Sequence, residues 1–144
     1  METDALLLQI QSTLAADNQI TAFCLAHYTQ RPTVWLGVDE ENAPTQADYP
    51  VIVILDCRET RGKHSRERSW SVDIACGIVC ETLISSGQTR TYSGSVEAAQ
   101  LRSLIEAAVI AMPTPHRIET TGESGSATAF PLFAGITTID FSEH

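Results

Sequence analysis

The side chains able to carry chemistry are few, and their spacing matches no familiar site. The four histidines, His27, His64, His116 and His144, pair with no acid or cysteine at a recognised catalytic or metal-binding interval. Cys24, Cys57, Cys76 and Cys80 each sit in an apolar stretch. Cys76 and Cys80 share an expected strand, where four residues of rise part their Cα atoms by roughly 13 Å. A direct disulfide needs less than about 7 Å, so these two cannot bridge to each other. With no CxxC or HxxxH pair to begin a zinc site, reduced thiols serving as small hydrophobes suit all four positions. Neither a metal nor a cofactor is expected.

Longer motifs fare no better. Arg61-Gly62-Lys63-His64-Ser65 has Cys57 where a phosphate-binding loop needs its first glycine, and His64 where it needs Ser or Thr. Gly122-Glu123-Ser124-Gly125 lacks the GxSxG spacing of a hydrolase nucleophile. Asp73 and Glu81 share a strand face but lie roughly 27 Å apart by strand rise, too far for a carboxylate pair. Asp39-Glu40-Glu41 lacks the ligand pattern of a calcium loop and reads as solvated.

What does stand out is the charge distribution. The 144 residues carry a formal charge of -9, which disfavours non-specific nucleic-acid binding, yet five of the nine basic residues (Arg58, Arg61, Lys63, Arg66 and Arg68) occupy one short segment. With His64 they form a candidate interaction loop. Asp39, Glu40, Glu41 and Asp48 form a candidate acidic counterpart, on the same chain or on a second copy. No aromatic residue lies within 58–68, which argues against single-strand nucleic-acid binding. No sequence-specific nucleic-acid contact is expected.

The elements that must position these residues follow from periodicity. Leu6, Leu7, Ile10 and Leu14 mark a helix over about Thr3 to Ala16, stopped at Asp17-Asn18. Ile20–Tyr28 and Thr33–Val38 read as strands, followed by an acidic loop over Asp39–Asp48. The apolar run Val51–Leu55 suits a central strand covered on both faces. From Ser69 to Leu83 the residues alternate, with Trp70, Val72, Ile74, Cys76, Ile78 and Cys80 on one face. These two strands form a long hairpin whose projecting tip is the basic segment Arg58–Arg68. Thr89–Tyr92 is a further short strand. Ser95 caps a helix bearing Leu101, Leu104, Ile105, Ala108 and Met112, closed by Pro113 and Pro115. Strands near His116–Thr120 and Gly135–Phe141 complete the chain, with a loop at Gly122–Ser126. The expected fold is one α+β domain over residues 1–144, a mostly antiparallel sheet with two helices packed on it. No apolar run approaches the roughly 20 residues that span a bilayer, and Glu2 and Asp4 stand where a signal peptide would be basic. No membrane contact is expected, and the protein should stay where it is made.

In order and punctuation these elements resemble small phage tail terminator, or tail-completion, proteins. The likeness is carried by the N-terminal helix, Val34-Trp35-Leu36-Gly37, Tyr49-Pro50 leading into Val51–Leu55, the hairpin through Trp70–Glu81, and Tyr92-Ser93-Gly94 before Ala98-Ala99 and Leu101. It covers nearly the whole chain as a pattern of elements. The resemblance implies a structural protein without catalytic residues, a homo-oligomeric ring, commonly a hexamer, that caps the tail tube and meets head-completion proteins. It would assemble in the host bacterial cytoplasm and end in the virion tail. Two other readings remain: another phage neck or tail component, and a small ligand-binding domain or enzyme. Flanking capsid and tail-tube genes would favour the first two. Protein purified without chelators is expected to contain no stoichiometric zinc by elemental analysis; zinc held through Cys76 and Cys80 would overturn the thiol reading.

Overall fold

The computed structural model describes residues 2–61, 68–113 and 117–142. Helix α1 (Thr3–Ala16) sinks Leu6, Ile10 and Leu14 and ends at Asp17. The carboxylate of Asp17 then accepts from the Ile20 backbone N–H at 2.9 Å and starts a second helix, α2 (Asn18–Tyr28). The strand expected over Ile20–Tyr28 is therefore a helix. Ile20 and Cys24, four residues apart, share its buried face, Asp17 satisfies an otherwise orphaned donor, and Thr29 closes it in the left-handed region at φ 57°. Three helices pack on the sheet instead of two.

Strand β1 (Thr33–Leu36) pairs parallel with β2 (Val51–Arg61), which pairs antiparallel with β3 (Arg68–Val79). A separate ribbon, β4 (Leu83–Ser86) with β5 (Thr89–Tyr92), precedes helix α3 (Ser93–Ile110). Strands β6 (Arg117–Ala129) and β7 (Leu132–Ser142) complete a five-stranded sheet in the order β1-β2-β3-β7-β6. The fold is α+β with a mostly antiparallel sheet.

The alternation in β3 translates directly into packing. Trp70, Val72, Ile74, Cys76 and Ile78 are all buried, facing helices α1, α2 and α3 together with Phe133, Ile139 and Phe141 of β7. Two polar contacts fix which helices lie over this face: the Trp70 indole donates to Thr3 Oγ1 on α1 at 3.1 Å, and the Cys76 thiol reaches the Ala98 carbonyl on α3 at 3.9 Å. Val51–Ile54 of β2 are buried on both faces, as a central strand should be, but Leu55, expected to be covered with them, is 41% exposed. The β3 strand ends at Val79, so Cys80 lies just past it, half-buried.

Three boundaries differ from expectation. Helix α3 begins at Ser93, two residues before the expected cap at Ser95, and its Gly94 lies against Phe133, where an added Cβ would fall 2.2 Å from the ring. Gly122–Ser126 is not a loop but part of β6. Pairing of Ser124, Gly125 and Ser126 with Thr137, Ile136 and Gly135 overrides their local preference, and a register shift between Thr120 and Ser124 absorbs the misfit. The β2–β3 hairpin stays paired out to Arg61↔Arg68, so Arg58, Arg61 and Arg68 are strand residues rather than parts of a projecting loop. Lys63, His64 and Arg66 lie outside the described residues.

Ile74 is 1% exposed at the centre of this core. Ile74→Ala is expected to cost about 2–5 kcal/mol by chemical denaturation; a loss below about 0.5 kcal/mol, typical of surface positions, would refute the face assignment.

Candidate functional site

At the root of the β2–β3 hairpin the basic residues meet carboxylates of their own chain. Glu59 accepts from Arg68 Nε at 2.7 Å, Thr3 Oγ1 at 3.1 Å and Arg61 Nε at 3.3 Å. The Arg68 hydrogen bond, seconded by those from Thr3 and Arg61, holds the Glu59 carboxyl below the ordinary carboxylate range. The Arg68 guanidinium also lies 5.1 Å from the centroid of the buried Trp70 ring, a cation–π contact at the point where the hairpin leaves the core. On the opposite face Arg58 grips Asp73 through two bonds of 2.9 and 3.2 Å, and Thr138 Oγ1 donates to the same carboxylate at 2.7 Å. Hydrogen bonding from Arg58 is the main reason the Asp73 carboxyl sits below its usual range.

Of the six residues expected to form the interaction loop, Arg58, Arg61 and Arg68 thus stand on paired strands with intramolecular partners. This arrangement gives the hairpin a mixed-charge surface. The acidic counterpart is built differently. Asp39 caps a short turn over Glu40–Asn42, accepting from the Glu41 N–H at 3.0 Å and from Asn42 Nδ2 at 2.9 Å. Those bonds, Asn42 first, hold its carboxyl below the usual range. Asp48 accepts from the Thr45 N–H at 2.9 Å and closes a second turn over Gln46–Asp48. Glu40 and Glu41 are exposed. Among the described residues, no ion pair joins these acids to the hairpin.

One cluster has no counterpart in the sequence pattern. His27 Nδ1 on α2 lies 2.8 Å from Glu97 Oε1 on α3, and the Cys80 thiol donates to Glu97 Oε2 at 3.2 Å. The carboxylate is bonded to both the imidazole and the thiol. That order differs from the thiol–imidazole–carboxylate chain of an activated nucleophile. Nearby, burial pushes the Cys24 thiol up to about 12 and the Cys76 thiol up to about 11, both suited to packing rather than reaction. Burial, with Glu97 adding to it, also raises Tyr28, whose hydroxyl has no hydrogen-bond partner among the described residues. A cleft of about 230 Å³ adjoins the cluster, lined by His27, Tyr28, Gln30, Gln46, Tyr49, Pro50 and Val79. Local spacing gave no hint of this grouping, since His27 and Glu97 meet only because residues 18–28 form a helix packed against α3.

Among the described residues, no group of three or more His, Cys, Asp or Glu side chains is placed to hold a metal ion, and no helix is long and apolar enough to cross a membrane. No protein-family model matches the chain, and neither does any curated protein.

The Arg58–Asp73 pair makes a pH-dependent prediction. A carboxyl whose folded pKa lies below its unfolded value contributes stability above the unfolded value and loses it as pH falls through the folded one. Arg58→Gln is expected to move the Asp73 titration, followed by carboxyl NMR, upward toward the ordinary range, and to reduce the acid-side loss of stability. An unmoved Asp73 titration would contradict the assignment.

Proposed function

We propose that this chain is the subunit of a ring that caps a phage tail tube and joins it to the head-completion complex, a structural role with no reaction to catalyse. The observation that carries the reading is the β2–β3 hairpin. Burial in β2 stops at Ile54, yet the pairing continues through Arg61↔Arg68. The parallel pairing with β1 ends at Leu36↔Ile54, while β3 remains paired with β7 out to Ser69↔Ser142. Beyond Ile54, β2 is therefore the outer edge of the sheet with no strand beside it among the described residues, and such an edge is a surface that another chain can pair with. The order of elements around it supports the same reading: a helical N-terminus, a Trp-bearing strand, Tyr49-Pro50 entering β2, and Tyr92-Ser93-Gly94 entering α3. Arg58 and Arg61 leave 56% and 69% of their side chains exposed despite their carboxylate partners, which keeps them within reach of an acidic neighbour.

A second reading, a small-ligand-binding domain, rests on the cleft beside His27 and Glu97. At about 230 Å³ it falls below the roughly 300–1,000 Å³ of typical ligand pockets. A second cleft, of about 480 Å³ and lined by Thr13, Asp17, Gln19, Leu104 and Met112 among others, reaches that size, but its one carboxylate, Asp17, is engaged in capping α2. The ring reading is preferred on the exposed edge of β2.

The test is co-sedimentation of the protein with tail tubes. Replacing Arg61, Lys63 and Arg66 with Ser is expected to leave the denaturation midpoint unchanged and to weaken binding to tube ends. Raising salt toward about 1 M, where the screening length shrinks from about 10 to 3 Å, should have the same effect on the wild type. A triple variant that binds like the wild type at every salt concentration would remove the hairpin from the contact. A wild type that never binds tube ends would overturn the function.

A further inference from the structure

Two apolar surfaces outside the core lie on different parts of the molecule. One lies beside an arginine without a carboxylate partner among the described residues, the other beside a carboxylate, Asp140, without a cation among them. Arg58, the exposed arginine of that second face, is bound to Asp73. The first is on the β4–β5 ribbon. Both its strands are exposed along their whole length, and Leu83 stands opposite Tyr92. The Tyr92 ring lies 5.4 Å from that of Phe130 in the β6–β7 turn. Leu83, Tyr92 and Phe130 are 47%, 48% and 54% exposed, so three large apolar side chains share one solvent-facing patch. Arg90 belongs to the same ribbon face as Leu83 and Tyr92; it donates to the carbonyls of Gly87 and Thr89 and pairs with no carboxylate among the described residues.

The second surface is the sheet face turned away from the helices. On this face Tyr49 and Val51 both lie against Gly77 of β3. Beside them, Ala75 of β3 stands opposite Ile136 of β7, which is 39% exposed. Toward the far end of β7, Asp140 accepts from the Ser71 hydroxyl and pairs with no cation among the described residues. Eight residues of strand part Leu132, near the ribbon, from Asp140, or about 26 Å.

We propose that the ribbon of one copy seats on the open sheet face of the next, with Leu83, Tyr92 and Phe130 against Ala75 and Ile136, and Arg90 meeting Asp140. The occupant is a second copy because donor and acceptor complement each other in both apolar character and charge on a single chain. Their separation makes the contact head-to-tail, and head-to-tail contacts that close produce rings. The inference rests on the ring reading and supplies its subunit interface.

Sedimentation velocity over a wide concentration range tests it. Leu83→Glu and Arg90→Glu lie on the exposed ribbon and should leave the denaturation midpoint unchanged. Leu83→Glu should weaken self-association about ten-fold or more. Arg90→Glu and Asp140→Arg should each weaken it about five-fold, and the double reversal should recover most of that loss. Rings that form equally well in all these variants would overturn the interface and leave the ring reading standing. A wild type that stays monomeric at every concentration would overturn both.

Discussion

A strand that buries Trp70, Val72, Ile74, Cys76 and Ile78 beneath helices must turn Ser71, Asp73, Ala75, Gly77 and Val79 the other way, because side chains alternate along a strand wherever no bulge interrupts it, and β3 pairs with β7 in unbroken register. The architecture depends on that constraint. Fully burying each large apolar side chain is worth about 1.5–3 kcal/mol, so slipping β3 by one residue would sacrifice the whole row at once. The register with β2 on one side and β7 on the other is thereby fixed, and so is the position of every residue those strands carry. Trp70 is where the constraint touches the surface features. Its ring lies in the core, its indole holds Thr3, and Arg68 stacks above it as the hairpin departs.

Fixing one face also decides what the other face can be. With all three helices on the Trp70 side, the reverse side of β3 and β7 carries no helix among the described residues; Tyr49 lies against Gly77, and Ile136 is 39% exposed. Small residues at Ala75 and Gly77 keep the exposed apolar area modest. The Arg58–Asp73–Thr138 network closes the polar end with charge-assisted bonds. A sheet finished in this way is tolerable in water.

Much of this was legible in the residues. The period-two pattern through Trp70–Ile78 and the unbroken apolar run at Val51–Ile54 left little freedom, since no other arrangement buries both. The apolar residues of Ile20–Tyr28 fit either period, and the cap from Asp17, a residue that also stops α1, decides for helix. Gly122–Ser126 has loop composition, and only the partner strand β7 makes it a strand. The candidate site was half legible. Clustering of Arg58, Arg61 and Arg68 is evident from composition, but their engagement with Glu59 and Asp73 depends on cross-strand register. The His27–Glu97–Cys80 grouping joins three separate elements, and no local spacing encodes it.

We propose that this protein ends a tail tube as a ring, and polymerising tube protein in its presence tests that most directly. Tube lengths measured by electron microscopy should shorten as the chain is added, with averaged images of one tube end showing a closed ring. Tubes that grow to the same length with or without it, with bare ends, would contradict the account.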